Sequence, residues 1–357
     1  FGPLGFQHGL RAIRDSLVLL TRAPVIMRLI SRILLLVVSR TEDFFRRDRQ
    51  WVDEAICGIQ DAAEDDTPTY LYLTTGLVHP AFQAHPRHMA AVDRNAVEVP
   101  PTLGDIEETP HPVVRYMRAT KHCEQRFSET LVTEMRHVYA AMVAAMDELM
   151  GLVLRAIHRA GIEDRTWVIF SSDHGEMAGE QNQVLKRSMY EPSIHVPLII
   201  AGPDGRRGER EDTPVSLLDL YPTLLEMGGV DYQATKGKLG PAKARLPDAP
   251  AGESLLGTII SGERRERPWC IAEYHGDRCL TGTYMLRRGP LRYVRYEGFA
   301  PQLFDIERDP WEQHDLARDR PDDVAEADRL LRSRVDCTAV DARAKRYDRD
   351  SFLAWRA

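Results

Sequence analysis

The sequence is poor in cysteine and has no cysteine pair spaced for a metal or redox centre. Its 357 residues include five cysteines, and none of them belongs to a C-x-x-C pair. This absence argues against a zinc ribbon and against a thioredoxin-like site. A disulfide between Cys270 and Cys279, across a hairpin, is conceivable from their spacing, but the scattered pattern favours two free thiols.

An excess of basic residues and a long hydrophobic run are also absent. The formal net charge of -7 argues against a nucleic-acid partner, because nucleic-acid-binding proteins are usually basic. The most apolar stretch, Val25 to Arg40, is interrupted by Arg28 and Arg32. It is too short to cross a bilayer, so we predict no membrane span and a helix packed on the core.

The order of apolar runs predicts an α/β fold. A strand-helix alternation of this kind is typical of a largely parallel sheet that is covered by helices on both faces. Ser128 is a suitable N-terminal cap, and Gly161 a suitable end, for a long amphipathic helix. The predicted strands of this one sheet are Tyr70–Thr74, Val168–Ser171 and Pro197–Ile200, and helices are predicted over 1–62 and within 214–229.

The C-terminal quarter has a different character. Arg288-Gly289-Pro290 separates two short strand-like runs, which predicts an antiparallel hairpin, and a closing helix is expected from about Pro321. We therefore predict two parts, an α/β domain over 1–267 and a smaller α+β subdomain over 268–357. Residues 81–128 are expected to be irregular with short helices, and 231–268 to be a surface connection.

Polar side chains of a kind that can act in chemistry follow two of the predicted strands. Asp173 and His174 end one strand, and Lys186 follows them closely. Because ligands of open α/β sheets bind beyond the carboxyl ends of the strands, this acid and imidazole suit a divalent cation, and Lys186 suits an anion beside it. The alternative for Asp173 and His174 is an ordinary turn and helix cap.

His79 follows the other strand, in "LVHPAF". An imidazole in that position can bind an anion or protonate a leaving group. The alternative is a loop histidine that packs on Pro80 and Phe82.

Taken in order along the chain, these motifs resemble the sulfatases of the alkaline phosphatase superfamily, and the arylsulfatases among them. The resemblance is carried by the His-Pro loop at His79, by "SSDHGE", and by "LKRSMYEPSIHVPL". The C-terminal runs "AEYHGDRCLTGTYMLR" and "QLFDIERDPWEQHDLA" extend it over essentially the whole chain.

The resemblance implies a function and a set of site residues. It implies hydrolysis of a sulfate ester of an aryl compound, a saccharide or another small molecule. It further implies that Asp173 and His174 are calcium ligands, that His79 and Lys186 contact the sulfate and act in catalysis, and that His275 lies near the substrate. For His275 the alternative is a turn histidine with its own hydrogen-bond partners.

The sequence departs from the family where the nucleophile is expected. The family makes a formylglycine from a cysteine in a C-x-P/A-x-R context, and none of the five cysteines has that context. A lysine of the family falls at Pro3, and a histidine at Leu10. The chain begins at Phe1 without a methionine or a signal peptide, so we expect a preceding segment in a longer protein.

These departures predict that the 357 residues alone are inactive and bind calcium weakly, because two ligands fall short of the six to eight oxygens that calcium takes. Two other functions stay open. One is a phosphonate or phosphodiester hydrolase of the same superfamily, and the other is a non-catalytic relative that binds sulfated ligands.

Overall fold

A computed structural model describes residues 37–38, 43–64, 67–101, 111–231 and 251–356. The strands in these ranges are β1 (Val37–Val38), β2 (Gln83–Ala84), β3 (Val168–Ser171), β4 (Met177–Ala178), β5 (Val184–Leu185), β6 (Leu198–Ala201), β7 (Trp269–Tyr274), β8 (Thr283–Arg288), β9 (Leu291–Tyr296) and β10 (Gln302–Asp305). The helices are α1 (Asp43–Glu64), α2 (Pro86–Met89), α3 (Pro112–Thr120), α4 (Glu129–Ala160), α5 (Glu191–Ile194), α6 (Leu220–Met227), α7 (Leu256–Ser261), α8 (Pro321–Arg332) and α9 (Cys337–Arg356).

The long helix α4 confirms its prediction from local signals. The Ser128 hydroxyl accepts a hydrogen bond from Leu131 N at 3.2 Å, and Gly161 ends the helix in the left-handed region at φ 66°. Its buried face, with Val132 and Met135, packs in a core cluster that also contains Phe82. This helix is the scaffold on which the loop after residue 78 rests.

Two of the three strands predicted for the main sheet are present, and they pair with each other. β3 has the predicted bounds and β6 is shifted by one residue, with Val168 opposite Ala201. Their direction is antiparallel, whereas we predicted a mixed sheet that is largely parallel. Two neighbouring parallel strands need a crossover connection between them. Residues 172–197 instead form short turns and strands beyond the end of β3, so β6 begins at that same end of the sheet and runs in the opposite direction.

The predicted strand Tyr70–Thr74 is wrong. This segment has no regular secondary structure and no paired strand in the described part of the chain, and Tyr70 and Tyr72 are 68% and 75% exposed. A strand requires a neighbour for its backbone groups, and apolar content alone does not show whether one is available. The predicted helix over Val25–Arg40 is also contradicted at Val37 and Val38, which form a parallel bridge to β2. The rest of that stretch lies outside the described residues, and so do Pro3 and Leu10.

The C-terminal hairpin confirms its prediction. β8 and β9 are joined at Gly289-Pro290 within an antiparallel sheet of order β10-β9-β8-β7. One face of this sheet packs Tyr284 and Leu331 into a core with α8, and the other face packs Met285 against Met189. The sheet begins at Trp269, although the domain boundary at 267/268 itself stays a prediction. Cys270 and Cys279 are free thiols, as expected.

Candidate functional site

The structure brings His79 and Lys186 into direct contact, although 107 positions separate them in the chain. Lys186 Nζ lies 2.8 Å from His79 Nε2, and His79 Nδ1 lies 2.6 Å from the Pro80 carbonyl oxygen. A carbonyl can only accept, so Nδ1 carries the ring proton and Nε2 accepts from the ammonium group. The pair therefore presents a cation next to a neutral imidazole with a defined tautomer.

Lys186 is positioned by an unusual stretch of backbone. Gln181, Asn182, Leu185 and Arg187 all have positive φ angles, of 50°, 49°, 64° and 83°. Such conformations are unfavourable for residues other than glycine and persist only where the surroundings hold them. Here the Asn182 side-chain amide donates to the carbonyl oxygens at 123 and 125 and accepts from the backbone N–H at 127, at 2.8, 3.0 and 2.9 Å.

Asp173 and His174 stand at the end of β3, as predicted, and contact each other. His174 Nε2 lies 3.5 Å from Asp173 Oδ2, and the His174 backbone N–H donates to Asp173 Oδ1 at 3.0 Å. The Asp173 side chain is 84% exposed. No third acidic, histidine or cysteine side chain completes a metal-binding group with them within the described ranges. On these two residues alone the donor set does not fit calcium, which needs six to eight oxygens.

Glu176 lies between these two pairs in the chain and was not among the predicted site residues. Its carboxylate accepts from the backbone N–H of Leu185, the residue before Lys186, and it lies two positions after His174. Burial raises the pKa of Glu176 to about 7, against the attraction of Lys186 and Lys121. No hydrogen bond joins the His79–Lys186 pair directly to Asp173 or His174 in the described part of the chain, so the convergence of all four on one cavity stays a prediction.

Gly175 explains how Glu176 reaches this position. A Cβ at Gly175 would lie 2.1 Å from the Pro192 carbonyl oxygen. The backbone N–H groups of Gly175 and Glu176 donate to the carbonyl oxygens of Ser193 and Pro192, both at 2.8 Å. Glycine is thus required here for the close approach to α5.

His275 lies on the loop between β7 and β8, and this loop faces the same region. His275 Nε2 is 3.1 Å from Glu273 Oε2, and its ring packs on Tyr284 with centroids 5.2 Å apart. Two residues on, Asp277 Oδ2 lies 3.1 Å from Arg187 Nη2, which ties the loop to the neighbour of Lys186. The proximity of His275 to the substrate stays a prediction.

Lys121 is a further charged residue that sequence reasoning missed. It is buried, and its Nζ donates to Gln183 Oε1 at 2.9 Å. Burial, assisted by the positive charge of Arg187, lowers the pKa of Lys121 to about 8, while Cys123 and Glu176 oppose the shift. No local signal reveals this position, because a lysine that follows a short helix is ordinarily solvated.

Comparison with known proteins agrees with the fold and with these motifs. The sulfatase family model matches residues 36–230, which contain His79, Asp173, His174 and Lys186. This match spans more than half of the chain, and the chain therefore belongs to the sulfatase family. The resemblance found in the sequence is confirmed.

Within this family the chain is similar to Arylsulfatase K of several vertebrates. It is 36% identical to the Xenopus laevis protein, over 86% of this chain and 59% of that protein. The Danio rerio protein is 33% identical, over 99% of this chain and 69% of that protein. The Homo sapiens protein is 31% identical, over 100% of this chain and 68% of that protein. The chain thus spans roughly six- to seven-tenths of these relatives.

Solved structures share the fold and confirm the alkaline-phosphatase-like α/β architecture. A protein solved in complex with its substrate D-glucosamine-2-N,6-O-disulfate has a TM-score of 0.62 at 18% identity, over 79% of this chain and 68% of that one. The phosphonate monoester hydrolase of Agrobacterium radiobacter has a TM-score of 0.61 at 21% identity, over 80% of this chain and 60% of that one.

Among the helices that the structure describes, none combines the length and the apolar character of a membrane span.

Proposed function

We propose that this chain forms the sulfate-binding part of a hydrolase of sulfate esters. The observation that carries the proposal is the 2.8 Å contact between Lys186 Nζ and His79 Nε2. Both residues lie within the region that matches the sulfatase family. A cation and an imidazole that meet across 107 positions form a compact site for a tetrahedral anion.

The two side chains have different roles in this proposal. The Lys186 ammonium group attracts the sulfate oxygens and offsets the charge that grows on them as the ester bond breaks. The leaving alcohol needs a proton. The Lys186 ammonium group, which donates to His79 Nε2, can supply it through that ring nitrogen, while Nδ1–H stays engaged with the Pro80 carbonyl oxygen. His275, on the loop tied to Arg187, is the proposed contact to the rest of the substrate.

The substrate class is an aryl or saccharide sulfate ester. Support comes from the curated relatives, whose name is Arylsulfatase K, and from the structural neighbour solved with a disulfated glucosamine. The neighbouring phosphonate monoester hydrolase favours a second candidate, a phosphonate or phosphodiester hydrolase, because a lysine and a histidine suit either tetrahedral anion.

The proposed binding site includes neither a nucleophile nor a metal. None of the five cysteines has the context that the family converts to formylglycine, so we expect no turnover from these 357 residues alone. Asp173 and His174 are proposed to contribute two ligands to a calcium site. With two ligands the affinity is weak, and no step of the proposed function passes through the metal.

Calorimetric titration with phenyl sulfate tests the proposal. We expect the unaltered chain to bind it, and we expect both Lys186→Ala and His79→Ala to lower the affinity by about tenfold, the loss of one charge-assisted hydrogen bond. Arg94→Ala and His158→Ala are matched controls, because both residues form exposed ion pairs, with Glu134 and Glu163.

Three outcomes separate the candidate functions. Tighter binding of phenyl phosphonate than of phenyl sulfate would favour the second candidate. Binding of phenyl sulfate without hydrolysis agrees with the proposal, in which these residues supply no nucleophile. Hydrolysis that Lys186→Ala abolishes would show that this chain contains a nucleophile. No binding of phenyl sulfate, or binding that all four variants leave unchanged, would contradict the proposed function.

A further inference from the structure

Asp48 is a buried acidic residue on α1, outside the proposed sulfate-binding pair. Its side chain is inaccessible to solvent. Its Oδ2 atom accepts a hydrogen bond from the Leu77 backbone N–H at 2.6 Å. Because Leu77 lies two positions before His79, this contact joins α1 to the loop that carries the proposed sulfate-binding imidazole.

The contact holds the peptide unit that closes the turn before His79. The His79 backbone N–H donates to the Gly76 carbonyl oxygen at 3.0 Å, so Gly76–His79 forms a tight turn. The Gly76 carbonyl and the Leu77 N–H belong to one planar trans peptide unit, in which they point in opposite directions. Asp48 on one side and the His79 N–H on the other therefore fix the orientation of the same plane.

Close packing brings the turn directly against α1. A Cβ at Gly76 would lie 2.3 Å from Arg47 Nη2 and 3.4 Å from Asp48 Oδ1. A side chain at Gly76 would therefore displace either Arg47 or the turn itself. Glycine at this position lets the turn approach Asp48 closely enough for the hydrogen bond to Leu77.

An ordinary ion pair does not account for Asp48. Among the described residues, the only basic group within ion-pair distance is Arg47, whose Nε lies 3.7 Å from Asp48 Oδ1 and whose side chain is 51% exposed. Oδ1 itself is buried and forms no hydrogen bond with a described residue. Burial of an acidic group costs free energy that such a distant pair offsets poorly, so the Leu77 N–H is the main contact of this side chain.

Lys186, the other member of the proposed pair, is held in a similar way. Glu176 is buried and accepts from the backbone N–H of Leu185, one position before Lys186. Each side of the 2.8 Å contact therefore follows a backbone N–H that is bound by a buried acidic side chain. A contact between side chains on two loops requires both loops to be fixed, and these two acidic residues come from different parts of the chain.

We propose that Asp48 is a positioning residue that holds His79 against Lys186. It acts through the Leu77 N–H and the Gly76–His79 turn, and it does not itself contact the sulfate. The inference rests on the proposed function, in which His79 binds the sulfate ester. Asp48 supplies a hydrogen-bond acceptor at a fixed place, and its negative charge is not required for this role.

Substitutions at Asp48 separate the acceptor from the charge. Asp48→Asn keeps an oxygen that can accept from the Leu77 N–H, whereas Asp48→Leu has a similar volume and no acceptor. In calorimetric titration of the whole chain with phenyl sulfate, Asp48→Leu should lower the affinity about tenfold, as expected for His79→Ala, and Asp48→Asn should stay within about twofold of the unaltered chain. The double variant Asp48→Leu with His79→Ala should bind no more weakly than His79→Ala alone, because both substitutions remove the same contact.

The ring of His79 gives a readout that a purely stabilising role of Asp48 would not change. In a nitrogen NMR spectrum, the His79 signals are identified by their loss in His79→Ala, and the Nε2 signal reports the hydrogen bond from Lys186. We expect Asp48→Leu to move this signal to the position that it has in Lys186→Met. Asp48→Asn should leave the signal where it is in the unaltered chain.

Two further variants complete the experiment. Asp48→Ala also removes the acceptor and serves if Asp48→Leu does not fold. Asp315→Leu is a matched control, because it removes another carboxylate that accepts from a backbone N–H, that of Leu303 at 3.0 Å in the C-terminal sheet. This control should change neither the affinity for phenyl sulfate nor the His79 signal.

The outcomes distinguish the inference from the proposed function. An unchanged affinity in Asp48→Leu, a His79 signal that Asp48→Leu does not move, or an equal loss of affinity in Asp48→Asn would overturn the inference and leave the sulfate site intact. If neither apolar variant folds, the signal in Asp48→Asn decides, because its displacement would show that an acceptor alone does not hold His79. No binding of phenyl sulfate by the unaltered chain would contradict the proposed function, whereas the His79 signal would still test the positioning.

Discussion

The stretch from Gln181 to Glu191 makes two kinds of polar contact, and they differ in how many carboxylates face the cation in each. At its ends, Gln181 and Glu191 contact a buried ion pair between Arg292 and Glu312, where Arg292 also pairs with Glu191. In its middle, Lys186 meets the neutral imidazole of His79 at the surface.

Under the proposed function, the difference separates groups that maintain the fold from groups that bind a ligand. Arg292 is fully buried with two carboxylates, so little of its charge is available to anything else. Lys186 has no carboxylate within ion-pair distance in the described part of the chain, and Arg187 has one exposed carboxylate and one unused nitrogen. Stability is therefore expected to depend on the ends of this stretch, and binding on its middle.

The largest expected effect is on stability, at the buried ion pair. Glu312→Ala leaves Arg292 in the interior with one of its two carboxylates, and it removes the carboxylate that accepts from the Glu191 backbone N–H at 2.7 Å. We expect the free energy of unfolding to fall by about 3–5 kcal/mol, measured by urea denaturation. A loss below about 1 kcal/mol would show that the interior tolerates Arg292 with a single carboxylate and that this end of the stretch does not control stability.

The next effect is a pH dependence that arises from Lys121. Its pKa is lowered from 10.5 to about 8 in the folded state, so the folded protein disfavours the charged form. For a cation with a lowered pKa, folding is penalised below about pH 8, and the penalty disappears as the pH rises towards 10.5.

The variant Lys121→Met measures this penalty. The free energy of unfolding of the unaltered chain should rise relative to Lys121→Met, by at most about 3 kcal/mol between pH 7 and pH 10.5. Alkaline effects common to both proteins cancel in the difference. A difference that does not change with pH would show that Lys121 is not buried as the structure has it.

A smaller effect on stability, with a clear effect on binding, is expected at Lys186. Lys186→Met should change the free energy of unfolding by no more than about 0.5 kcal/mol, because the side chain is near the surface and forms no ion pair with a described residue. The same variant should lower the affinity for phenyl sulfate by about tenfold. Thermal unfolding and titration on one preparation check both expectations. A loss of stability similar to that of Glu312→Ala would show that the middle of the stretch also maintains the fold.

The smallest effect is expected at Asp173. Asp173→Ala removes an exposed carboxylate that, among described residues with basic side chains, contacts His174 alone, so the free energy of unfolding should change by less than about 0.5 kcal/mol. Because two ligands fall short of a calcium site, added calcium should raise the melting temperature of the unaltered chain little, and that of Asp173→Ala not at all. A large calcium-dependent increase that Asp173→Ala keeps would place the metal elsewhere.

Sequence patterns alone were sufficient for elements whose signals are local. Helix α4 follows from Ser128 and Gly161, β3 from its β-branched and aromatic residues, and the β8–β9 hairpin from Gly289-Pro290. The family, and with it His79 and Lys186 as candidates, follows from motifs that are contiguous in the chain. Each of these signals is complete within a few residues, so no distant contact is needed to interpret it.

Tertiary structure alone decided where distant segments meet. It made β3 and β6 antiparallel, left Tyr70–Thr74 without a partner strand among the described residues, buried Lys121 beside Gln183, and set Asp277 against Arg187. Strand pairing and the burial of a charge depend on which surfaces the rest of the chain supplies, and the residues involved are as compatible with exposed loops as with a site. The 2.8 Å contact between His79 and Lys186 belongs to the same class, because 107 intervening positions give no local signal of it.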